Sequence, residues 1–351
     1  MDWPRKLFPF RPRFHAWQIE VTSRCGLRCP SCFHSRKDTL RRDLSWEHLQ
    51  RLEPHLDRVD NVILQGWGEP LLYPYLPEAL GLVASRGASA GFVTSGYGLN
   101  ETLAGEVVRA GAAFISFSLG GAREATHTAL RPGSSLEWIR DGIALLRHAA
   151  VSRKLEEPEL QLTCLLQREN IRELPEVVDL AAQWGAKAVV AINPCHIGDR
   201  DQERQRLFVC GGEPEREHAK LLKTAAERAR DKGVELRLPA LKGEEVLVCE
   251  ENPLQNLFIA SDGEVGPCVN MLPPAQRFGH LFCGAEVEGA RQGFGNLADN
   301  DLLRIWNTRP YREFRRVLNE RRLIAGKELP QREEFPDPPR PCRTCHKMLG
   351  L

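Results

Sequence analysis

The sequence predicts an α/β protein in which an open barrel of six strand–helix units is followed by a smaller α+β domain. Short apolar runs alternate with longer helical patterns from residue 16 to about residue 240, as in parallel α/β folds. The periodicity then changes, and prolines cluster near the C-terminus. A chain of 351 residues is long enough for one large and one small domain.

Six short apolar runs are the predicted strands of the barrel. They lie at residues 16–21, 61–65, 90–94, 112–119, 159–166 and 186–192. In a (β/α) barrel the loops that follow the strands share one face, and this face carries the active sites of barrel enzymes. We therefore expect functional residues directly after these runs.

Six helical patterns complete the predicted units. The first is SWEHLQRLEPHL, where Ser45 is placed to cap the helix, and the sixth is EPEREHAKLLKTAAERARDKG at residues 213–233. The other four are LPEALGLVASRG, ETLAGEVVRAG, LEWIRDGIALLRHAA and IRELPEVVDLAAQWG. These units define a partial (β/α)6 TIM barrel over residues 16–240, preceded by an N-terminal arm at residues 1–15.

Residues 241–351 have a different pattern and form the predicted second domain. The segment LFIASDGEVGPC predicts a hairpin that turns at Asp262 and Gly263. NDLLRIWNTRPYREFRRVL predicts one amphipathic helix that carries a proline. The proline-rich residues 328–341 predict a stiff connector to the last cysteine pair.

Charge and terminal patterns limit the possible partners. Lys and Arg number 48 against 47 Asp and Glu, so the net charge of +1 gives no strong signal for nucleic acid or a membrane. We find no signal peptide and no apolar run long enough to span a bilayer. We therefore expect a cytoplasmic protein whose clustered cysteines hold metal or perform chemistry. Eleven cysteines, an odd number, fit a disulfide framework poorly.

Cys25, Cys29 and Cys32 lie within eight positions, directly after the first predicted strand. Three thiolates can hold three irons of a [4Fe–4S] cluster and leave the fourth iron open to another ligand. The alternative is a zinc knuckle with His34 as its fourth ligand. The spacing resembles the cluster loop of the radical S-adenosylmethionine (SAM) superfamily. This resemblance implies that SAM binds the open iron and is cleaved reductively to a 5′-deoxyadenosyl radical.

Further segments resemble motifs of the same superfamily in the same order. QGWGEP resembles the glycine-rich turn that binds the SAM amino group, although Trp67 interrupts its glycines. TSGYGL, ISFSLGG and THTALRPGSS resemble later cofactor-binding segments, with Gly120 where the family has aspartate. The resemblance implies that the SAM contacts are Gly66, Gly68, Glu69, Pro70, Ser95, Ser116, Ser118 and Arg131. Arg131 would pair with the SAM carboxylate.

The residue before the third cysteine departs from the family pattern. It is usually aromatic and lies near adenine, but here it is Ser31. Phe33, two positions later, is therefore the candidate aromatic contact with the cofactor.

A second cysteine set resembles the auxiliary-cluster region called SPASM, in its shortened twitch form. Its four members are Cys249, Cys268, Cys342 and Cys345. The resemblance implies one fully ligated auxiliary [4Fe–4S] cluster that accepts or relays an electron. Four cysteines in two pairs also satisfy a zinc ribbon, which is the alternative.

Four cysteines remain outside both sets. Cys164 lies in a strand and is expected to be a small buried hydrophobic residue. Cys195, Cys210 and Cys283 lie in loops and are candidate hydrogen-atom donors to a substrate radical, with a structural role as the alternative. Asn193 and His196 lie beside Cys195 and are candidate substrate contacts.

The predicted function is that of a radical SAM oxidoreductase or maturase, which dehydrogenates or epimerises its substrate or modifies a peptide. The substrate would be a small molecule or a peptide or protein side chain. An external one-electron reductant such as flavodoxin or ferredoxin would serve as partner. The alternative from another class is a non-catalytic scaffold that holds zinc at both cysteine sets.

Overall fold

A computed structural model of the protein describes residues 13–33, 39, 41–324 and 335–351. Residues 1–12 of the predicted arm, His34 and residues 328–334 of the predicted connector lie outside the described residues. No helix in these ranges is long and apolar enough to cross a membrane.

All six predicted barrel strands are present. They are β1 Phe14–Ile19, β2 Val59–Leu64, β3 Ser89–Thr94, β4 Phe114–Leu119, β5 Glu159–Leu165 and β6 Ala188–Ile192. Each pairs in parallel with its successor along the chain. Their buried, apolar character is typical of a parallel sheet that is covered by helices.

Three further strands extend this sheet, which has the order β7-β6-β5-β4-β3-β2-β1-β8-β9. They are β7 Glu235–Arg237, β8 Asn256–Ile259 and β9 Val265–Gly266. β8 and β9 form the predicted hairpin, and Gly263 in its turn has φ +82°. β8 also pairs in parallel with β1, with Trp17 opposite Leu257. The first strand of the chain is therefore flanked on one side by the C-terminal part.

Eight α-helices lie between β1 and β7 in the part of the chain that the structure describes. They are α1 Trp46–Leu52, α2 Leu76–Ser85, α3 Glu101–Arg109, α4 Glu124–Leu130, α5 Leu136–Arg153, α6 Leu174–Trp184, α7 Arg200–Gln205 and α8 Arg216–Lys232. Ser45 caps α1 as predicted, because its hydroxyl accepts a hydrogen bond from the His48 backbone N–H at 3.2 Å. The short helices α4 and α7 were not predicted.

The C-terminal part contains a second hairpin that was not predicted, β10 Arg277–Phe282 and β11 Ala285–Ala290. Cys283 and Gly284 form its turn, and both have positive φ. The single predicted amphipathic helix is two helices, α9 Leu302–Trp306 and α10 Arg309–Ile324. The chain restarts at α10 because Pro310 is tolerated in a first turn but not in a helix interior.

Four apolar clusters form among the described residues. The largest lies between the sheet and its helices and includes Trp17, Phe92 and Phe117, each with no solvent exposure. The second largest packs Phe314 and Leu318 of α10 around residues of the second cysteine set. Burying side chains of this size contributes about 1.5–3 kcal/mol each.

Candidate active site

A cavity of about 200 Å³ opens at the carboxyl ends of the central strands. It is lined by nine residues that the sequence analysis selected, namely Cys25, Cys29, Cys32, Gly66, Gly68, Glu69, Ser95, Ser118 and Arg131. Gly120 lines it as well. The structure therefore brings the cysteine loop and most of the predicted SAM contacts to one site.

Three predicted cofactor contacts do not line this cavity. Ser116 lies two residues before Ser118, deeper in the barrel, and its hydroxyl is 2.7 Å from that of Thr163. Pro70 is buried as the first residue of a short 3-10 helix. Phe33 faces a second cavity, described below. For these three residues the expected contact with the cofactor stays a prediction.

The glycine-rich turn after β2 is packed too closely to accept side chains. A Cβ atom at Gly68 would lie 2.1 Å from the Thr22 carbonyl oxygen and 2.8 Å from that of Arg24. A Cβ atom at Gly66 would lie 2.4 Å from the Cβ of Glu20. Glycine at both positions lets the turn lie against the backbone that leads into the cysteine loop.

Glu20 supports this turn from beneath, and the sequence analysis did not select it. Its buried carboxylate accepts hydrogen bonds from the Trp67 N–H at 2.7 Å and from the N–H and hydroxyl of Ser261 at 3.0 and 2.7 Å. Burial raises the pKa of Glu20 above its usual value, and these hydrogen bonds oppose the rise. Glu20 therefore joins the glycine-rich turn to the C-terminal part of the chain.

Glu69 ties the same turn to the end of β3. Its carboxylate accepts hydrogen bonds from the Thr94 hydroxyl at 2.6 Å, from the Ser95 N–H at 2.8 Å and from the Ser95 hydroxyl at 2.5 Å. The Leu71 N–H is a fourth donor, at 3.2 Å. Burial raises the pKa of Glu69, and its hydrogen bonds lower it. With four donors already engaged, its main effect is to position the turn.

Arg131 carries an unused donor at the cavity. Its Nε atom is buried and has no hydrogen-bond partner among the described residues. Its backbone N–H donates to the His127 carbonyl at 2.8 Å. A buried guanidinium nitrogen without an acceptor is costly, so the site fits an anionic group such as a carboxylate.

His127 holds the segment that presents Arg131. Its Nδ1 accepts a hydrogen bond from the Gly120 N–H at 3.2 Å, and its Nε2 lies 3.0 Å from the Ser134 hydroxyl. Burial lowers the pKa of His127 to about 4, with a further contribution from the Arg131 charge. The imidazole is therefore neutral at pH 7.

Gln167 lines the first cavity, and the sequence analysis did not select it. Its side-chain amide donates to the Ser31 hydroxyl at 2.6 Å. Ser31 occupies the position where an aromatic residue was expected, and it also lines the cavity. The pair therefore forms a polar wall at that position.

A second cavity of about 510 Å³ contains all four cysteines of the second set in its lining. Trp67 lines both cavities and so separates them. Phe33 lies beside it, with its ring 4.7 Å from Trp67 and 4.1 Å from His196. The two cysteine sites thus face neighbouring spaces that share an aromatic wall.

Neither predicted cysteine set forms a compact group of metal-ligand atoms in this structure. Among the described residues, three ligand atoms approach within 4.8 Å of one another only at Cys210, Cys283 and His346. The two predicted sets are therefore more open than this group.

Burial raises the thiol pKa of each cysteine in the second set. The pKa rises to about 11 for Cys249 and to about 12 for Cys345. For Cys268 and Cys342 burial also raises the pKa, and the neighbouring cysteines add to the effect. Cluster binding must therefore displace protons from these thiols.

The three candidate hydrogen donors differ in their bonding and position. Cys195 is a free thiol that lines the second cavity, and its Sγ donates to the Asn270 side-chain oxygen at 3.1 Å. Cys210 and Cys283 are joined to each other in a disulfide. Neither sulfur carries a hydrogen in this form, so neither can donate one while the disulfide is intact. This single disulfide was not predicted, since an odd number of cysteines fits a disulfide framework poorly.

The candidate substrate contacts also separate. His196 lines the second cavity, whereas Asn193 is buried and donates to the Ala240 carbonyl at 2.8 Å. The structure adds polar lining residues that the sequence analysis did not select, namely Glu251, Asn270, His280 and Lys347. They come from separate loops and strands, so no local motif identifies them.

Two family models match most of the chain. Residues 19–181 match the radical SAM superfamily, and residues 249–346 match the iron–sulfur cluster-binding domain called SPASM. The second match spans all four cysteines of the second set. These matches favour iron–sulfur clusters over the zinc-scaffold alternative.

Relatives with assigned roles align over most of their length. A Pyrococcus furiosus protein described as a tungsten-containing aldehyde ferredoxin oxidoreductase cofactor-modifying protein is 24% identical over 85% of this chain and 82% of its own. A PqqA peptide cyclase of Xanthomonas campestris is 23% identical over 82% of this chain and 72% of its own.

Solved structures share the fold. Streptococcus suis SuiB bound to SAM superposes with a TM-score of 0.63 at 14% identity, covering 86% of this chain and 68% of SuiB. The structure of anSMEcpe with bound SAM also gives 0.63, at 15% identity, covering 88% of this chain and 80% of that one. On the family matches and this fold, the chain belongs to the radical SAM superfamily, which binds SAM and a [4Fe–4S] cluster, and it carries a SPASM auxiliary-cluster domain.

Proposed function

We propose that this enzyme cleaves SAM reductively at a [4Fe–4S] cluster held by Cys25, Cys29 and Cys32, and abstracts a hydrogen atom from a substrate in the second cavity. The observation that carries the proposal is the common lining of the first cavity. Three cysteines, the glycine turn without room for side chains and Arg131 all line this space, and the Nε of Arg131 is buried without a hydrogen-bond partner among the described residues.

The first cavity offers matching groups to the carboxylate and the amino group of SAM, which both belong to its methionine end. Arg131 lines the cavity, and its buried Nε–H is the proposed donor to the SAM carboxylate. The close-packed backbone of Gly66 and Gly68 lets the amino group approach the turn, which Glu20 and Glu69 hold in place. When bound, the cluster supplies the electron that converts SAM to methionine and a 5′-deoxyadenosyl radical.

The second cavity is the proposed substrate site. It adjoins the first cavity at Trp67 and offers polar groups without partners. The Asn270 side-chain nitrogen and His280 Nδ1 are both buried and have no hydrogen-bond partner among the described residues. Such groups suit a substrate that has hydrogen-bonding groups of its own.

The second cysteine set holds the proposed single auxiliary [4Fe–4S] cluster. With four protein ligands the cluster has no open iron, so it serves electron transfer and not substrate binding. An external one-electron reductant of the flavodoxin or ferredoxin class is the proposed electron source. The cytoplasm is the compartment in which this partner would be met.

The proposed substrate is either a small cofactor-like molecule or a peptide or protein side chain. The two relatives above are described as modifying a cofactor and cyclising a peptide. A solved SuiB structure contains its precursor peptide, with a TM-score of 0.60. The polar lining residues of the second cavity are compatible with both classes.

Cys195 is the proposed hydrogen-atom donor that quenches the substrate radical. Among the described cysteines it is the one free thiol that lines a cavity and belongs to neither cluster set. The substrate carbon gains the hydrogen from Sγ, and a sulfur radical remains on Cys195. One proton and one electron, the latter from the external reductant by way of the auxiliary site, restore the thiol. This role favours epimerisation over net oxidation.

The proposal is tested with anaerobically reconstituted protein, SAM and dithionite. We expect about eight irons per chain, a visible chromophore that dithionite bleaches, and release of 5′-deoxyadenosine. Cys29→Ala should abolish this release, and Cys164→Ala, which changes a buried thiol outside both sets, should retain it. Colourless zinc protein, or unchanged cleavage by Cys29→Ala, would contradict the proposal.

A further inference from the structure

Cys210 and Cys283 form a site that belongs to neither cluster. Cys210 follows α7, and Cys283 forms the turn between β10 and β11, so their disulfide joins segments that are 73 residues apart. Neither residue lines the first or the second cavity. The proposed reaction therefore leaves this pair without a role.

The imidazole of His346 completes a compact ligand group with the two sulfur atoms. Its nearest ring nitrogen and both Sγ atoms lie within 4.8 Å of one another. The Cys283 N–H points to Nε2 at 3.4 Å, and Nδ1 lies 3.3 Å from the Cys195 carbonyl oxygen. A carbonyl can only accept, so Nδ1 carries the proton and Nε2 keeps its lone pair on the side of Cys283. This arrangement is typical of metal-binding histidines, which donate their other N–H to a carbonyl group.

Two further groups support ligand binding here. Glu203 Oε1 is buried without a hydrogen-bond partner among the described residues, with Arg206 Nη2 at 3.8 Å. It would lie 3.9 Å from a Cβ atom at Gly284, the residue after Cys283. Arg206 Nη1 lies 3.6 Å from the Cys210 sulfur, and a neighbouring cation favours a thiolate. The surroundings therefore offer a fourth donor and a charge that stabilises a thiolate.

We propose that Cys210, Cys283 and His346 form a redox-controlled zinc site. In the oxidised form the two sulfurs are bonded to each other and cannot hold a metal. A dithiol reductant supplies two electrons and two protons, gives two thiols and is itself oxidised to a disulfide. Zn²⁺ then binds two thiolates and the His346 nitrogen, and two protons are released. Water or Glu203 takes the fourth position.

Zinc is the metal that this donor set favours. Two thiolates and one imidazole are a known zinc ligand set, and zinc accepts a tetrahedral arrangement with Zn–S distances of about 2.3 Å. On reduction the two sulfur atoms must separate from their bonded distance to about 3.8 Å, the spacing of a tetrahedral zinc site. All three ligand atoms already lie within 4.8 Å of one another, so a local adjustment of the side chains achieves this.

The site lies beside the proposed auxiliary cluster. His346 follows Cys345, and Cys283 directly follows β10, whose Phe278 and His280 line the second cavity. The disulfide and the zinc site would both hold the hairpin against the loop that contains Cys210. A reduced site without metal would release this link.

The test measures zinc on protein that contains both clusters. Reconstituted enzyme with about eight irons per chain is incubated anaerobically with or without dithiothreitol, supplied with an equimolar amount of zinc chloride and desalted. Bound zinc, bound iron and thiols are then counted. We expect about one zinc per chain in the reduced protein, little in the oxidised protein, and two more titratable thiols after reduction.

Variants identify the ligands. Cys210→Ala and Cys283→Ala should each lose most of the bound zinc while retaining all iron, and Cys164→Ala should bind zinc as the wild type does. The proposal is overturned if reduced wild-type protein binds no zinc. It is also overturned if oxidised protein binds as much as reduced protein, or if a Cys210→Ala, Cys283→Ala double variant with full iron retains the zinc.

Discussion

The two cysteine sites differ in how the chain supplies their ligands. Cys25, Cys29 and Cys32 come from one loop after β1 and are half-buried beside a cavity. The other four come from segments before β8, after β9 and near the C-terminus, and Cys249 and Cys342 are buried. One loop can leave a cluster open on the side that meets a ligand, whereas several segments surround it. The open site therefore suits binding of SAM, and the closed site suits electron transfer.

The largest effects on iron content and SAM cleavage are expected when one cysteine ligand is removed from each site in turn. Cys29→Ala should lower iron from about eight to about four per chain and bring 5′-deoxyadenosine release below detection. Cys249→Ala should lower iron equally but leave SAM cleavage in the absence of substrate largely intact. Iron analysis and chromatography of the products measure both effects. Equal loss of cleavage in the two variants would show that the sites do not act separately.

A substitution in the glycine turn tests how close packing supports the open site. Gly68→Ala places a methyl group 2.1 Å from the Thr22 carbonyl oxygen, so the backbone must shift at a cost of about 2–4 kcal/mol. We expect a lower denaturant midpoint and weaker SAM binding. Gly81→Ala in α2 is the matched control, since nothing lies within 4 Å of the added atom. It should stabilise the protein by about 0.5–1 kcal/mol.

Replacing Arg131 tests whether the open site binds the carboxylate of SAM. Arg131→Ala removes a charge-assisted pair worth about 1.5–3 kcal/mol and should raise the dissociation constant for SAM about 10- to 100-fold. Equilibrium dialysis on the iron-loaded protein measures this change. Arg123→Ala, which removes an exposed ion pair with Glu176, should leave affinity and iron content unchanged. Wild-type affinity in Arg131→Ala would remove this residue from the site.

The smallest expected effect is a pH dependence of the free energy of unfolding, caused by His127 beside the open site. Folding lowers the pKa of His127 from about 6.5 to about 4, so in this window the unfolded chain binds more protons. Stability should therefore fall as the pH falls, by about 1–2 kcal/mol between pH 7 and pH 5. Urea titrations at both pH values measure the change. His127→Asn should weaken the dependence, and an unchanged slope in this variant would exclude His127 as its source.

The sequence predicted the elements that rest on local patterns. The six strands were found because each is a short run of apolar or alternating apolar and polar residues, and the turn at Asp262 and Gly263 was found because glycine is favoured at positive φ. β7 was missed because Glu235–Arg237 is a three-residue strand with two charged residues. The pairing of β8 with β1 has no local signal, since residues about 240 positions apart form it.

The candidate site follows the same division. The cysteine loop and the glycine turn have recognisable spacing, whereas Glu20 and Gln167 act through contacts with distant segments. Ser116 and Ser118 share one side of a strand, but only the residue nearer its end reaches the cavity. The disulfide was missed because a cytoplasmic location was expected, and cysteines in that compartment are usually reduced.

The bonds made by Glu20 bear on how this protein can be engineered. One carboxylate holds both the SAM-binding turn and Ser261 in the hairpin of β8 and β9, and β8 completes the pairing of β1. Cutting the chain between barrel and auxiliary domain would expose the edge of β1 and leave a buried carboxylate with fewer donors. The auxiliary domain is therefore poorly suited to exchange as an independent cassette. A chimera with a related enzyme should keep β1, the glycine turn and the β8–β9 hairpin from one parent.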